Sequence, residues 1–473
     1  MALEGRSTGS RIHVLGAGAV GLLFAAHLRK SGHPITLLLR SQASAERFAR
    51  NGGRISVVND WARSQPSRKL LRIDSSSGGN DMVPWLTEDI QAMSTASLHN
   101  DKDQQSHIDK LVITTKAHDA LQAYWSVRGS LNSKSTVVLL QNGMGTYEAI
   151  QREFYPSPQQ HQRELISEIP TFIIGTNANG CLRVSEDEFT THHTAKVSCQ
   201  FAVRPSLLNP PPPLPPSTLD MLKALSSLPL GATIINWSDL HLQLLLKLAA
   251  NAVISPVTAL TGCRNGYIVP PPLNGTQQCA DAGYYDSMRS YLSSACAEIA
   301  AVYARAHPHL HCELTTQAIE EYVSHIAYSS ARNRSSMLQD IDAGRQTEAE
   351  WINGYLVRLG QQHGVPTPVN TLLYTLIKLK EAYQEYLLPR NDAQISKEEA
   401  SMIRPKKRRA LMRQPRPPDV ERDDGTPVYP KETEAWRQAE YKKLCHVLID
   451  DWCRGRKSKV AGKGLWSINT RYS

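Results

Sequence analysis

The feature that most restricts the fold of this chain is a glycine-rich turn within "HVLGAGAVGLLFAAHLRKSGHPITLLLR", residues 13–40. Gly16, Gly18 and Gly21 stand in G-x-G-x-x-G spacing, after a short apolar run and at the head of a segment with helical periodicity. That segment stops at Gly32 and is followed by a second apolar, β-branched run. A strand, a turn, a helix and a strand in this order predict the first unit of a doubly wound parallel sheet.

The three glycines have separate uses in such a turn. Gly16 permits the tight bend, Gly18 lets the backbone approach a pyrophosphate, and Gly21 lets the helix pack close to the sheet. The free N–H groups at the start of the helix then favour phosphate. We therefore expect a dinucleotide site, and the alternative is a turn that binds no ligand. The expected cofactor-binding residues of the turn are Gly16, Ala17, Gly18, Ala19, Val20 and Gly21.

Arg40 stands at the end of the second predicted strand, where NAD-binding folds usually carry an acid that binds the ribose 2′-hydroxyl. An arginine offers a planar, charged fork that pairs with a 2′-phosphate. Arg40 therefore predicts NADP(H) as the cofactor. The alternative is a solvated arginine at a strand end.

Further buried strands are predicted within "KLVITTK" (110–116) and "STVVLLQNG" (135–143), and later within "IPTFIIGTNANG" and "KVSCQFAVR". Lys116 and Asn142 come directly after the first two of these strands. Ligands of open α/β sheets lie outside the carboxyl ends of the strands, so both residues are expected to face the nicotinamide half of the cofactor. A solvated lysine and a plain Asn-Gly turn are the alternatives.

The domain plan follows from composition. Residues 11–235 are expected to form the Rossmann-type domain, with a proline-rich spacer at 209–217, and residues 236–388 an all-helical domain. Residues 389–473 read as a largely disordered basic tail with one helix near 433–454. Residues 401–473 hold eighteen Lys or Arg and nine Asp or Glu, so the chain's net charge of +9 belongs to these residues.

Several classes of protein are excluded by what the sequence lacks. No run approaches eighteen consecutive apolar residues, so no membrane span is expected. The eight cysteines are scattered without a C-x-x-C pair, which predicts free buried thiols and no metal site. The beginning of the chain lacks the apolar segment of a secretory signal, so a cytoplasmic location is expected, with a mitochondrial one as the alternative.

Three polar residues interrupt an apolar helix in the second domain. Lys247, Asn251 and Ser255 recur at every fourth position and so share one face. Burial of an ammonium group is costly without partners, and it lowers the pKa toward the range useful for proton transfer. Lys247 is therefore a candidate general acid. The alternative is a lysine that extends its charge to solvent at the edge of the helix.

A second polar cluster lies in "ARNRSSMLQDIDAGRQTEAEWING". Asn333 and Ser336 are three residues apart at a predicted helix start, and Gly344 is placed to end that helix. Thr347 and Glu350 have the T-x-x-E spacing of a capping box that opens a new helix.

Glu348 would lie in the first turn of this new helix, where the helix dipole favours a carboxylate. Spacing alone leaves a solvated surface acid as the alternative.

The order of "GAGAVG", the strand-end arginine, "TTKAHD", "QNGMG", "KLAANAVISPVTAL" and "SSMLQDIDAGRQTEAEWINGYL" resembles the ketopantoate reductase (2-dehydropantoate 2-reductase) family over roughly residues 11–385. The resemblance implies an N-terminal Rossmann domain, a C-terminal helical domain and an active site in the cleft between them. It also implies the NADPH-dependent reduction of 2-dehydropantoate to pantoate, on the route to pantothenate and coenzyme A.

The resemblance also implies residue roles. Lys247 matches the lysine that donates a proton to the substrate carbonyl, and Glu348 matches an essential carboxylate near the substrate hydroxyl. Lys116 and Asn142 match cofactor-side positions. The substrate-binding positions are matched by Asn251, Ser255, Asn333 and Ser336. Ser255 departs from the family, which commonly has asparagine there.

Two further functions stay open from the sequence. One is reduction of another branched 2-keto acid. The other is a non-enzymatic relative whose basic tail binds a partner such as RNA or a membrane surface, which is the only route to nucleic acid that we expect. The expected ligand is a small 2-keto acid, and the oligomeric state is open between monomer and homodimer.

Overall fold

A computed structural model of the chain has a parallel sheet flanked by helices, followed by a purely helical region, which confirms the expected fold class. The structure describes residues 10–60, 85–99, 107–155, 168–183, 189–206, 211–269 and 282–387. The expected basic tail (389–473) and its helix near 433–454 lie outside the described residues.

The strands form two sheets. They are β1 (Ile12–Leu15), β2 (Ile35–Leu39), β3 (Ile55–Asn59), β4 (Trp85–Thr87), β5 (Gln91–Ser94), β6 (Lys110–Ile113), β7 (Thr136–Leu139), β8 (Thr171–Asn177), β9 (Gly180–Leu182), β10 (Thr190–Ala195), β11 (Cys199–Val203) and β12 (Ala232–Ile234). The larger sheet has the order β12-β11-β8-β7-β6-β1-β2-β5, and only β8 and β11 pair antiparallel among its described neighbours. The strand order reverses beside β1, which is where such sheets bind ligands.

Helices cover both faces of the larger sheet and then form the second region. Those beside the sheets are α1 (Ala19–Lys30), α2 (Gln42–Arg50), α3 (Ala117–Trp125), α4 (Thr146–Phe154) and α5 (Pro216–Ser226). Those of the helical region are α6 (Trp237–Thr261), α7 (Ala282–Ala306), α8 (Thr316–Ser329), α9 (Ser336–Asp342), α10 (Asn353–Gln362) and α11 (Pro368–Leu387). β12 ends at Ile234 and α6 begins at Trp237, close to the expected domain boundary, which stays a prediction.

The central strands are apolar throughout because both of their faces are covered. Along β6, Val112 belongs to the cluster of buried side chains on the α1 and α5 side. Leu111 and Ile113 belong to the cluster that includes Tyr124 of α3 and Ile150 of α4. Successive side chains of a strand point to opposite faces, so a strand buried on both faces shows no polar alternation.

The glycine-rich turn has the close contacts that its sequence predicts. Gly16 has a φ of +107°, a conformation that favours glycine. A Cβ atom on Gly21 would lie 1.9 Å from the carbonyl oxygen of Gly16, so the start of α1 packs against the turn only with glycine there. Around Gly18, by contrast, a Cβ would meet no atom of the described residues within 4 Å. The turn is therefore tight toward the sheet and open on its outer side.

The smaller sheet was not expected from the sequence. Its order is β4-β3-β10-β9, and it packs on α1 through β3, β9 and β10. Thr191 Oγ1 of β10 donates a hydrogen bond to the carbonyl oxygen of Ala19, at the start of α1. The segment from β9 to β10 therefore lies beside the glycine-rich turn.

α6 is the long apolar helix that carries Lys247. Pro256 lies inside it and provides no N–H for the carbonyl oxygen of Ala252, four residues earlier. The side-chain amide of Asn353 donates to that oxygen at 3.0 Å, which satisfies it. Within the described residues α6 is the one helix long and apolar enough to cross a membrane, but 61% of its most apolar stretch is buried by the protein itself.

The capping box predicted for Thr347 and Glu350 is wrong. The amide and hydroxyl of Thr347 both donate to Glu381 Oε1 of α11, and Glu350 instead binds Arg358 and Tyr374. A short 3-10 turn, Ala349–Trp351, therefore stands where the sequence predicted a new helix. Tertiary partners outcompete the local cap because they provide opposite charge or bury the groups.

Two other expectations need correction. Five described cysteines are free, but only Cys199 and Cys296 are buried, and Cys312 is exposed. The proline-rich spacer was expected to extend to residue 217, yet α5 begins at Pro216. Proline is accepted in the first turn of a helix because the N–H it lacks would have no partner there.

Candidate active site

A cavity of about 580 Å³ lies at the carboxyl ends of β1 and β2, over the glycine-rich turn. A cavity of this size is within the range that holds a cofactor. Its lining residues are Leu15, Gly16, Ala17, Gly18, Leu38, Leu39, Arg40, Ser44, Arg47, Thr95, Thr115, Asp119, Gln122, Ala123, Ser126, Arg183 and Phe189.

The lining fits an anionic dinucleotide. Gly18 leaves open space beside the start of α1, where backbone N–H groups are available for a phosphate. Arg40 follows β2 and is exposed into the cavity, as its sequence position predicted. Arg47 of α2 and Arg183 were not singled out from the sequence, and they bring two more guanidinium groups to the same cavity.

A second group of polar residues lies where the sheet domain meets the helical region. Glu348 is 4% exposed and accepts hydrogen bonds from the backbone N–H of Ala117 (3.1 Å) and from Asn142 Nδ2 (3.4 Å). Lys116 Nζ lies 3.5 Å from Glu348 Oε2. The structure thus brings together three residues that the sequence analysis selected separately. Glu348 is a buried carboxylate rather than a solvated surface acid.

Asp340 was not predicted from the sequence. This α9 residue is 3% exposed, and its Oδ2 lies 2.7 Å from Lys116 Nζ, while Arg345 pairs with its Oδ1 at 3.1 Å. Burial opposes the charge of Lys116, but the carboxylates of Glu348 and Asp340 outweigh it and raise the Lys116 pKa above its ordinary value. Lys116 is therefore protonated at neutral pH, between two carboxylates.

Lys247 reaches from α6 to the edge of the sheet. Its Nζ donates to Thr176 Oγ1 at 2.9 Å and to the carbonyl oxygen of Asn177 at 3.0 Å, both on β8. Burial of the ammonium group lowers the Lys247 pKa from 10.5 to about 8, and the negative charge of Glu348 limits the fall. Lys247 thus points inward to the sheet instead of extending to solvent.

The expected substrate-side residues lie further along the helical region. Asn251 is half-buried and Ser255 is 4% exposed, on the turns of α6 that follow Lys247. Asn333 and Ser336 have exposed side chains at the start of α9, and Ser335 caps that helix. Ser335 Oγ also accepts a hydrogen bond from Thr258 Oγ1 of α6, at 2.7 Å, so the start of α9 lies against α6.

The arrangement combines a cavity that fits an anionic dinucleotide with a group of one lysine of lowered pKa, one lysine of raised pKa and two buried carboxylates, where the sheet meets the helical region. Clusters of this kind in a cleft are typical of proton-transfer sites. Among the described residues, no group of three or more His, Cys, Asp or Glu side chains is placed to hold a metal ion.

Family models match both parts of the chain. The model described as ketopantoate reductase PanE/ApbA matches residues 12–202, and the model of the C-terminal part of the same family matches residues 239–381.

Curated relatives extend over the same region. The 2-dehydropantoate 2-reductase of Shigella flexneri is 28% identical over 387 residues, which are 80% of this chain and 99% of the relative. The probable 2-dehydropantoate 2-reductase of Schizosaccharomyces pombe is 25% identical over 383 residues, which are 78% of this chain and 95% of the relative.

Solved structures share the fold. The probable 2-dehydropantoate 2-reductase of Bacillus subtilis superposes with a TM-score of 0.53 at 24% identity, over 78% of this chain and all of that one. A D-mandelate dehydrogenase solved with NADH and anilino(oxo)acetate superposes with a TM-score of 0.56 at 16% identity, over 80% of this chain and all of that one. With both halves matched in order by models of one family, the chain belongs to the ketopantoate reductases, a family of oxidoreductases.

Proposed function

We propose that this protein reduces 2-dehydropantoate to pantoate with NADPH. The observation that carries the proposal is the position of Lys247, which is half-buried against β8, has its pKa lowered to about 8 and lies within the electrostatic influence of Glu348. Relatives named 2-dehydropantoate 2-reductase over nearly their whole length support the substrate. The arginine-lined cavity over the glycine-rich turn supports a phosphorylated dinucleotide.

Lys247 acts as the general acid in this proposal. NADPH, when bound, supplies the hydride that reduces the 2-keto group. Negative charge then develops on the ketone oxygen, and a cationic lysine stabilises it and donates a proton. A pKa near 8 suits this role because the lysine is protonated at neutral pH but loses its proton more readily than a solvated lysine does.

Glu348 has two parts in the proposed mechanism. Its charge keeps the Lys247 pKa from falling further, so that the acid form persists at neutral pH. A carboxylate oxygen also accepts a hydrogen bond from the hydroxyl group of pantoate or of its keto precursor. Contacts with Ala117 N–H, Asn142 and Lys116 hold the carboxylate in the cleft.

The substrate carboxylate needs donors, and four helical-region residues supply them in this proposal. The Ser255 side chain reaches less far than the asparagine common in the family. Several branched 2-keto acids should therefore be compared as substrates. The proposed substrate-binding residues are Asn251, Ser255, Asn333 and Ser336.

The pathway role, the cytoplasmic location and a homodimer stay predictions, although one similar solved structure is described as a dimeric ketopantoate reductase from Staphylococcus aureus.

The purified full-length protein is expected to oxidise NADPH when ketopantoate is added, with 2-ketoisovalerate and other branched 2-keto acids as comparison substrates. Absorbance at the NADPH band measures the rate directly. A higher kcat/KM for another acid would replace the proposed substrate. No turnover with any 2-keto acid between about pH 5 and 9 would reject a reductase function.

Arg40→Ala is expected to raise the Kd of NADPH about ten- to a hundredfold, because a charged hydrogen bond is worth roughly 1.5–3 kcal/mol. The Kd of NADH should change by less than about threefold, since NADH has no 2′-phosphate for the guanidinium to bind. Fluorescence titration of both nucleotides measures the two constants. Equal weakening of the two would contradict the 2′-phosphate assignment.

A further inference from the structure

Arg183 reaches the glycine-rich turn from the smaller sheet. It follows β9 directly, and its NH1 donates to the carbonyl oxygen of Ala17, the residue between the first two glycines of the motif, at 2.7 Å. Its guanidinium also lies over the ring of Phe189, 5.6 Å from the ring centroid. Two contacts therefore place the charged group beside the turn, and both Arg183 and Phe189 line the cavity.

The position of this charge differs from that of Arg40. Arg40 follows β2, on the side where a Rossmann-type fold binds the adenosine ribose and its 2′ substituent. Ala17 belongs to the turn whose N–H groups approach a pyrophosphate. Because its guanidinium binds Ala17, Arg183 brings its charge to the pyrophosphate end of the cavity.

Among the described residues, the turn itself contributes only neutral donors. Gly16, Ala17 and Gly18 carry no polar side chain, and α1 has no side-chain hydrogen bond at its N-cap and no acidic residue in its first turn. The outer side of Gly18 is open. A diphosphate in that space would meet the N–H groups at the start of α1 and, on the adjacent wall, the guanidinium of Arg183.

We propose that Arg183 is a cofactor-binding residue that pairs with the pyrophosphate of the dinucleotide, and this inference rests on the proposed cofactor function. The smaller sheet then has a functional consequence, because β9 and β10 carry Arg183 to a turn that the larger sheet builds. Since both NADPH and NADH contain the pyrophosphate, Arg183 increases affinity without selecting between them. Selection is left to Arg40.

Arg183→Gln and Arg183→Lys test this assignment in the full-length protein. Glutamine keeps a donor for the Ala17 carbonyl but removes the charge, and lysine keeps both. The Kd values of NADPH and NADH are expected to rise by the same factor, about tenfold or more, in Arg183→Gln, as for loss of a charge-assisted hydrogen bond. Arg183→Lys should recover most of the affinity. Adenosine 2′-monophosphate, which has no pyrophosphate, should bind wild type and Arg183→Gln equally.

Arg29→Gln is the matched control, because Arg29 lies in the last turn of α1, away from the glycine-rich turn, and pairs with Asp89. Its nucleotide affinities should equal those of the wild type. Unchanged Kd values in Arg183→Gln would overturn the assignment. A loss of affinity confined to NADPH would also overturn it, because Arg183 would then act at the 2′-phosphate. Equal losses of affinity in Arg183→Gln and Arg183→Lys would overturn it as well, because they would indicate that Arg183 shapes the turn. If wild type binds neither nucleotide, the proposed function itself fails.

Discussion

Lys247→Ala is expected to lower kcat for ketopantoate reduction by about 10²–10⁴, the usual contribution of a positioned general acid. The affinity for NADPH should change little, because Lys247 contacts Thr176 and Asn177 on β8 and is not among the lining residues of the dinucleotide cavity. Steady-state kinetics and a nucleotide titration on the same preparation separate the two effects. Full activity in this variant would remove Lys247 from the mechanism.

The pH dependence of the wild type follows from the same residue. The Lys247 pKa is lowered to about 8, so its ammonium form, the proton donor of the proposed mechanism, prevails below that pH and is lost above it. Log kcat/KM for reduction should therefore be flat near neutral pH and should fall with a slope near −1 well above pH 8. A profile that stays flat through pH 9.5 would exclude a donor with this pKa.

Two variants control for charge and for helix stability. Lys247→Arg keeps a cation that does not deprotonate between neutral pH and pH 9.5. The pH profile of its residual activity should therefore show no alkaline fall near pH 8. Lys380→Ala removes a different lysine, whose Nζ donates to the carbonyl oxygens of Ala259 and Leu260 at the other end of α6. It should cost some thermal stability and leave kcat and its pH profile unchanged.

The sequence predicted the parts of this protein that depend on local pattern. Apolar runs located β1, β2, β6, β7, β8 and β11, because strands covered on both faces have few polar residues. Glycine spacing predicted the turn, and the expected steric need is visible at Gly21. Strand ends predicted that Lys116 and Asn142 lie together at the carboxyl edge of the sheet, and both contact Glu348, whereas their place beside the nicotinamide stays a prediction.

Other parts depend on partners distant in sequence. Asp340 has the spacing of an ordinary helical acid, and only its contact with Lys116, 224 residues away, distinguishes it. The smaller sheet pairs β3 with β10, from separate parts of the chain, and β10 is "TTHHTA", with little apolar content. Arg183, directly after β9, is visible in the sequence, but its place beside the glycine-rich turn depends on how the smaller sheet packs on α1. Periodicity does not encode such pairings.

Glu348→Gln is expected to lower kcat/KM for ketopantoate by about a hundredfold, as for loss of a charged hydrogen-bond partner in the transition state. Glutamine has nearly the same shape, and its side-chain oxygen still accepts the hydrogen bond from Ala117 N–H. The glutamine Nε2 cannot accept the hydrogen bonds that Glu348 Oε2 accepts from Lys116 and Asn142, so the loss would combine the missing charge with these two contacts. Steady-state kinetics with ketopantoate, alongside a thermal unfolding curve, measure the two contributions.

The more specific consequence of Glu348→Gln is on pH dependence. The negative charge of Glu348 raises the Lys247 pKa against the larger effect of burial, which lowers it to about 8. Removing that charge lets the pKa fall further, so the alkaline limb of kcat/KM should move to lower pH. A purely structural role for Glu348 would lower activity at every pH by the same factor and leave the limb in place.

Glu350→Gln is the matched control for this result. Glu350 lies two residues away and its carboxylate binds Arg358 and Tyr374 within the helical region. Its loss should lower the thermal midpoint while the alkaline limb stays near pH 8. If both variants shift the limb equally, the Lys247 pKa responds to the general charge of the helical region. If only Glu348→Gln shifts it, the buried carboxylate that contacts Lys116 also keeps the proposed proton donor charged.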